Sequence, residues 1–409
     1  MDRRAGFYWG TNTVRTSTRF LLAVLVCCVG CEPRDVPCFS PDGKEIAFLV
    51  EPVRGNAERR PDVLKVGIVT LADGKIRTFT LPDKWSADGL VWVGPRLIVE
   101  ASRPLDVIKV EGQTREGLYF LLDQATGKFA EAPFKPHMLY SPFAGRFNGK
   151  PCIYAQDMTP EVEDQKTRAY RPDDLALMGE LPFAAQGAGR GWFVRVVREA
   201  QRPETRGLLP PQMTGVEVFG PDGRKVCTLL PEEIAKACWR DARAPLCARV
   251  FENGSKIFLG FDTGTIFRRC PTEYTFGVFD TKTGAMLWTR GSNGLMGLPV
   301  ATSDAVYILE AKERKVYTGE RTPAALLEPP PETSGPTSEL VLARHSEKGR
   351  SVVLDIRLED GESASRYSVS PDGKTMVVLV EGPEPRLLLV PIKEAVTAAE
   401  LRSVPLDVR

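Results

Sequence analysis

The sequence is short of histidine, of charge imbalance and of long apolar runs. Its 409 residues include 2 His, at positions 137 and 345. A Ser-His-Asp or Cys-His catalytic site would have to use one of them. His137 lies in Phe134-Lys-Pro-His-Met138, which reads as a loop, and His345 in an expected hairpin turn, so both are expected at the surface. With 54 Lys+Arg against 53 Asp+Glu, the net charge of +1 gives no electrostatic reason to expect a nucleic-acid partner. The apolar run Phe20–Gly30 is about half of the roughly 20 residues that a membrane-spanning helix needs. A hydrophobic content of 43% is too high for a disordered chain and too low for a polytopic membrane protein. No GxSxG elbow and no CxxC pair occurs, which removes the usual signatures of an α/β-hydrolase and of a zinc site. No catalytic set, metal site or cofactor is expected.

What is present begins with an address. Arg3, Arg4, Arg15 and Arg19 precede the run FLLAVLVCCVG, and polarity switches abruptly at Glu32. This is the layout of a secretory signal peptide over residues 1–30. The stretch Cys28-Val29-Gly30-Cys31 resembles the lipobox of bacterial lipoproteins. That resemblance implies acylation of Cys31 and an extracytoplasmic, membrane-anchored protein, since acyl chains hold a soluble domain on a bilayer without a spanning helix. Of the 9 Cys, Cys27 and Cys28 would leave with the leader and Cys31 would carry the lipid. Six remain in the body, which permits disulfides in an exported protein. Cys227, Cys238, Cys247 and Cys270 are the candidates for local bridges, with free buried thiols as the alternative.

The body reads as repeated β-hairpins. Val66–Leu71, the turn Ala72-Asp73-Gly74-Lys75 and Ile76–Phe79 form strand, turn, strand, and the Asp-Gly pair supplies the positive φ of a tight turn. The design recurs at Gly127, Gly223, Gly284 and Gly349, with spacings of 53, 96, 61 and 65 from Gly74 onward. A second motif, Ser40-Pro41-Asp42-Gly43-Lys44 before Leu49-Val-Glu51, returns without gaps as Ser370-Pro371-Asp372-Gly373-Lys374 before Leu379-Val-Glu381. Such units of strand, strand and hairpin are the mark of a β-propeller blade. The two nearest copies lie at opposite ends of the chain, where a closed ring makes neighbours of them. The fold expected for residues 31–409 is therefore an all-β single propeller of about seven four-stranded blades, with six or eight also compatible. Loop insertions are expected near 156–190 and 323–338, and the glycine-rich Gly187–Gly191 reads as a loop. A β-sandwich with a second domain would explain the short strands but not the matching end segments.

The segments Phe39–Lys44 and Val369–Lys374 resemble the PD40, or TolB-like, WD40-like propeller repeat. In that repeat Pro41, Asp42, Gly43, Pro371, Asp372 and Gly373 are turn-forming and structural. Phe279-Asp-Thr-Lys-Thr-Gly284 with Trp288 looks like a blade of the pyrroloquinoline-quinone propellers. Together these resemblances imply an extracytoplasmic propeller that binds a protein or glycan partner, or a scaffold in a cell-envelope assembly. A divergent quinoprotein-like or glycan-acting enzyme is the alternative. The acidic run Glu161–Asp164 and the basic residues between Lys166 and Arg206 read as mixed solvated surface. Asn253-Gly-Ser255 matches a glycosylation sequon but is first of all a turn.

Overall fold

The computed structural model describes residues 37–50, 65–82, 85–93, 96–104, 115–134, 142–156, 166–198, 213–237, 247–262, 274–292, 299–312 and 338–406. Seven antiparallel sheets of four strands follow one another along the chain. Blade 1 holds β1 (Cys38–Phe39), β2 (Glu45–Val50), β3 (Lys65–Thr70) and β4 (Ile76–Thr80). Blade 2 holds β5 (Ser86–Val93), β6 (Arg96–Pro104), β7 (Arg115–Asp123) and β8 (Lys128–Glu131). Blade 3 holds β9 (Phe143–Phe147), β10 (Lys150–Gln156), β11 (Thr167–Tyr170) and β12 (Leu177–Leu181). Blade 4 holds β13 (Gln186–Gly189), β14 (Trp192–Arg198), β15 (Met213–Phe219) and β16 (Lys225–Leu229), and is followed by helix α1 (Pro231–Ala237). Blade 5 holds β17 (Cys247–Val250), β18 (Lys256–Asp262), β19 (Tyr274–Asp280) and β20 (Met286–Ser292). Blade 6 holds β21 (Val300–Ala301), β22 (Val306–Ala311), β23 (Glu339–Ser346) and β24 (Gly349–Arg357). Blade 7 holds β25 (Ser363–Val369), β26 (Thr375–Glu381), β27 (Arg386–Pro391) and β28 (Arg402–Pro405).

First strands of neighbouring blades touch, β1 with β5, β5 with β9, β9 with β13, β13 with β17, β17 with β21 and β25 with β1, so they form the inner ring. A wedge of apolar side chains fills each seam between blades. In β22, Val306 and Ile308 enter the wedge shared with blade 5, while Tyr307 and Leu309 enter the wedge shared with blade 7. Likewise Ile98 of β6 faces blade 3 while Leu97 and Val99 face blade 1. A second strand buried on both faces has no polar side to show, which explains the continuous apolar runs such as Ile46–Val50 where a half-exposed strand would alternate.

The ring closes between blades 7 and 1 without sharing a strand. Phe39, Ile46 and Phe48 pack with Val377, Leu387 and Leu389. Arg402 Nη2 also donates to the Leu71 carbonyl at 2.5 Å. The two Ser-Pro-Asp-Gly-Lys copies make the same turn. Asp42 Oδ1 accepts from Lys44 N at 3.1 Å and from Ser40 Oγ at 2.8 Å, while Ser40 Oγ accepts from Glu45 N at 2.9 Å. In blade 7 the matching bonds are 3.0, 2.6 and 3.0 Å. Gly43 and Gly373 supply φ of 71° and 73°, a region closed to most side chains. In the ring the copies adjoin, with Pro371 Cδ 3.8 Å from where a Gly43 Cβ would stand.

Antiparallel order sorts the connections onto two faces. Turns joining first to second strands and third to fourth strands fall on one face, where the Asp-Gly turns at Gly43, Gly74, Gly223 and Gly373 lie. Connections joining second to third strands, and one blade to the next, fall on the other, here termed the wide-loop face. Residues 51–64, 105–114, 157–165, 199–212, 263–273 and 313–337 are bounded by strand ends on that face and lie outside the described residues. The structure corrects two local expectations. Gly187–Gly189 belongs to a strand, β13, whose hairpin into β14 turns through Arg190 and Gly191 at φ of 53° and 80°. His345 lies within β23 and is fully buried, not in a surface turn. His137 and residues 323–337 fall outside the described residues.

Candidate functional site

Cys31, the expected lipid acceptor, lies outside the described residues, as do Cys238 and Cys270. Cys38, Cys152, Cys227 and Cys247 form no disulfide with one another. Burial pushes Cys38 up to about 12, and Cys152 and Cys227 up to about 11. Such thiols stay protonated near neutrality and make poor nucleophiles. Pro41, Asp42, Gly43, Pro371, Asp372 and Gly373 sit in the tight turns described above. The bond from Ser40 and the Lys44 amide hold the Asp42 carboxyl below the usual range, and Ser370 with the Lys374 amide does the same for Asp372. Those carboxylates are occupied by their own turns. Asp280, in the quinoprotein-like segment, does likewise, accepting from Thr283 N at 2.7 Å and Lys282 N at 2.9 Å.

A cluster of buried polar residues spans the seam of blades 5 and 6. Glu310 of β22 is 2% exposed. Its Oε1 accepts from Ser292 Oγ of blade 5 at 2.8 Å and lies 2.8 Å from His345 Nε2. Its Oε2 accepts from Arg350 Nε at 2.9 Å and Nη2 at 2.7 Å. His345 and Glu310 are not cross-strand partners, since His345 pairs with Val306 and Glu310 with Val341. The His345 ring and that of Phe276 of blade 5 pack in a T shape with centroids 5.2 Å apart. Burial works to raise the Glu310 carboxyl, but its bonds with His345 and Arg350 outweigh that and hold it below the usual range. The composition resembles a triad, but the connectivity differs. Ser292 donates its hydrogen bond to the carboxylate instead of facing the imidazole, and His345 Nδ1 is buried without a partner. The arrangement suits a polar stitch between blades. Arg290 adds a second stitch, donating to the Ser346 and Glu347 carbonyls at 3.3 and 3.0 Å. The available sequence signal is Glu310 itself, a lone acid in the apolar run Val306–Ala311 whose every residue is buried.

The two ends of the axis differ. At the tight-turn end, Arg190 of blade 4 and Glu252 of blade 5 form an ion pair at 3.7 Å, and both approach Gly373 of blade 7. Turns from three blades therefore meet across that end. At the wide-loop end the second and third strands finish in buried polar side chains, among them Ser102, Gln156, Thr167, Thr275 and Glu310. Blade 7 has short, fully described connections there. Glu359, Asp360 and Glu384 are exposed, and Glu362 is buried in a two-pronged pair with Arg386 at 2.8 and 2.7 Å. Among the described residues no group of three or more His, Cys, Asp or Glu is arranged to hold a metal ion, and no helix is long and apolar enough to cross a membrane.

No family model matches the sequence, and no curated protein matches it. Solved structures match in shape. The β-propeller domain of the Trilobed protease from Pyrococcus furiosus superposes with a TM-score of 0.49 at 12% identity, covering 91% of this chain and 97% of that one. The WD40 repeats of RRP9 give 0.46 at 11%, covering 89% and 95%. Dihydro-heme d1 dehydrogenase NirN gives 0.42 at 14%, covering 91% and 66%. The seven four-stranded sheets themselves make the protein a seven-bladed β-propeller.

Proposed function

We propose that this propeller is a lipid-anchored, extracytoplasmic binding module of the PD40/TolB-like type, which engages a protein or glycan partner of the cell envelope through its wide-loop face. The observation that carries this reading is the asymmetry of the two faces. One face is made of short capped turns, with Arg190 of blade 4 paired to Glu252 of blade 5. The other bears the long connections and the buried polar strand ends, on a rigid ring of seven blades. Loops on a rigid scaffold are where binding residues concentrate. The lipobox-like Cys28–Cys31 supports the anchor. The described chain starts at Pro37 and its first strand runs toward the Ser40–Lys44 turn, so the chain enters on the wide-loop face. A lipid on Cys31 would hold that face to within about 20 Å of the bilayer. In this reading the protein binds and does not catalyse.

Two measurements test it. Cys31→Ser should move the protein from the membrane to the soluble fraction, and retention in the membrane would sink the anchor. Crosslinking in intact cells should then recover a partner whose yield falls with Glu359→Lys/Glu384→Lys on the wide-loop face. Lys44→Glu/Lys225→Glu, on the opposite face, should leave the yield unchanged. Loss with the second pair alone would place the binding surface on the wrong side.

A further inference from the structure

The chain carries two described Asn-Gly pairs, Asn148-Gly149 and Asn253-Gly254, and the fold treats them oppositely. Asn253 is locked. Its Oδ1 accepts from Ser255 N at 3.0 Å and from Ser255 Oγ at 2.7 Å, and Gly254 N donates to the Phe251 carbonyl at 2.9 Å. Trp192 of blade 4 also covers this turn, 3.0 Å from where a Gly254 Cβ would stand. Asn148 and Gly149 form the two-residue turn between β9 and β10, with φ of 50° and 76°, the mirror-image hairpin type. Both residues are exposed, and nothing lies within 4 Å of a Cβ built on Gly149. Among the described residues no group binds the Asn148 side chain and no backbone carbonyl accepts from Gly149 N.

We propose that Asn148 is a site of spontaneous deamidation built into the inner hairpin of blade 3, and that Asn253 is protected by its turn. The backbone nitrogen of Gly149 attacks Asn148 Cγ, so a C–N bond forms to that nitrogen and the bond from Cγ to the side-chain nitrogen breaks. Ammonia leaves, taking up the Gly149 amide proton, and a cyclic succinimide remains. Water then opens the ring at one of its two carbonyls, giving aspartate or isoaspartate. Either product adds a negative charge beside the exposed Arg146 and Lys150. The isoaspartyl form also routes the main chain through Cβ, lengthening a turn that has only two residues.

The dipeptide is the same at both positions, and comparison with the unfolded chain separates the effect of the fold from that of the differing neighbours, Phe147 and Lys150 against Glu252 and Ser255. The full-length protein is held at mildly alkaline pH, native or unfolded in urea, and mapped by peptide mass spectrometry and by an isoaspartyl methyltransferase. Unfolded, the two sites should react at similar rates. Native, Asn148 should react roughly tenfold or more faster than Asn253, the size expected when hydrogen bonds restrain one nucleophile and one side chain but not the other. Asn148→Gln should abolish the major product, and Ser255→Ala should speed reaction at Asn253. Equal native rates, a faster Asn253, or a native Asn148 that stays intact while the unfolded chain reacts would each overturn the proposal. Asn293-Gly294 lies outside the described residues, and its product is resolved separately by the peptide map.

Discussion

Ser292 of blade 5 donates to Glu310 of blade 6 across 2.8 Å, inside a seam where both residues are 2% exposed. A carboxylate is costly to bury and is kept only where its bonds are filled. Here Ser292, His345 and Arg350 fill them. Replacing Glu310 with Ala should therefore leave the fully buried His345 and the Arg350 guanidinium facing an empty site. The expected loss is about 3 kcal/mol, the lower end for breaking a buried pair, because the Arg350 side chain is 39% exposed and regains water. Ser292→Ala should cost about 1 kcal/mol. Urea denaturation measures both, and a Glu310→Ala variant as stable as the parent would show that the seam does not need the stitch.

Acid should loosen the ring through the same group. The folded Glu310 carboxyl is held below its ordinary value, and so is Glu362, chiefly by its bond with Arg386. A depressed carboxyl contributes stability that is complete above its unfolded pKa, about 4.3, and is lost as pH falls through the lower folded value. The denaturation midpoint should thus hold steady from about pH 7 to 5 and drop below about pH 4. Glu310→Gln should be less stable at neutral pH and show a shallower acid slope than the parent. An unchanged slope would move the acid sensitivity elsewhere.

Turns are legible in the sequence and side-chain partners are not, for a physical reason. Asp73-Gly74, Asp222-Gly223 and both Ser-Pro-Asp-Gly-Lys copies announce themselves because a positive φ and a capping oxygen are needs met within five residues. Their spacing points to about seven blades and leaves six or eight open, and the sheets themselves give seven. Glu310 meets His345 and Arg350 at separations of 35 and 40 residues, and nothing local marks that pairing. His345 reads as a surface turn residue because the turn signal at Ser346–Gly349 lies beside it. Gly187–Gly189 reads as a loop because glycine weakens strand propensity. In the ring Gly187 is needed small, since a Cβ there would stand 2.9 Å from Phe143 of blade 3.

The described thiols should be slow to react. Cys152 is 2% exposed, and burial raises both Cys152 and Cys227 to about 11. The thiolate, which is the reactive form, is then scarce at pH 7 to 8. Alkylation followed by peptide mapping should find Cys152 unlabelled in the native protein and labelled after unfolding, with Cys227 intermediate because it is half-buried. Rapid native labelling of Cys152 would mean that the seam of blades 3 and 4 opens readily. The same map reports whether Cys238 and Cys270 carry free thiols.

Ring closure should depend on one missing side chain. Gly67 of β3 stands opposite Phe48 of β2, and a Cβ there would lie 2.3 Å from Phe48 Cζ and 2.6 and 2.8 Å from its two Cε atoms. Phe48 is 1% exposed and belongs to the wedge that joins blade 1 to blade 7, so the ring has nowhere to swing. Gly67→Ala should therefore cost about 3 kcal/mol, the upper part of the range for overpacking a core. Phe48→Leu removes the ring atoms involved and should cost about 1 kcal/mol alone. If the clash is the cause, the double variant should be more stable than the sum of the single losses predicts, by about 1 to 3 kcal/mol. Strict additivity would show that Gly67 is required for its backbone and not for the ring laid over it.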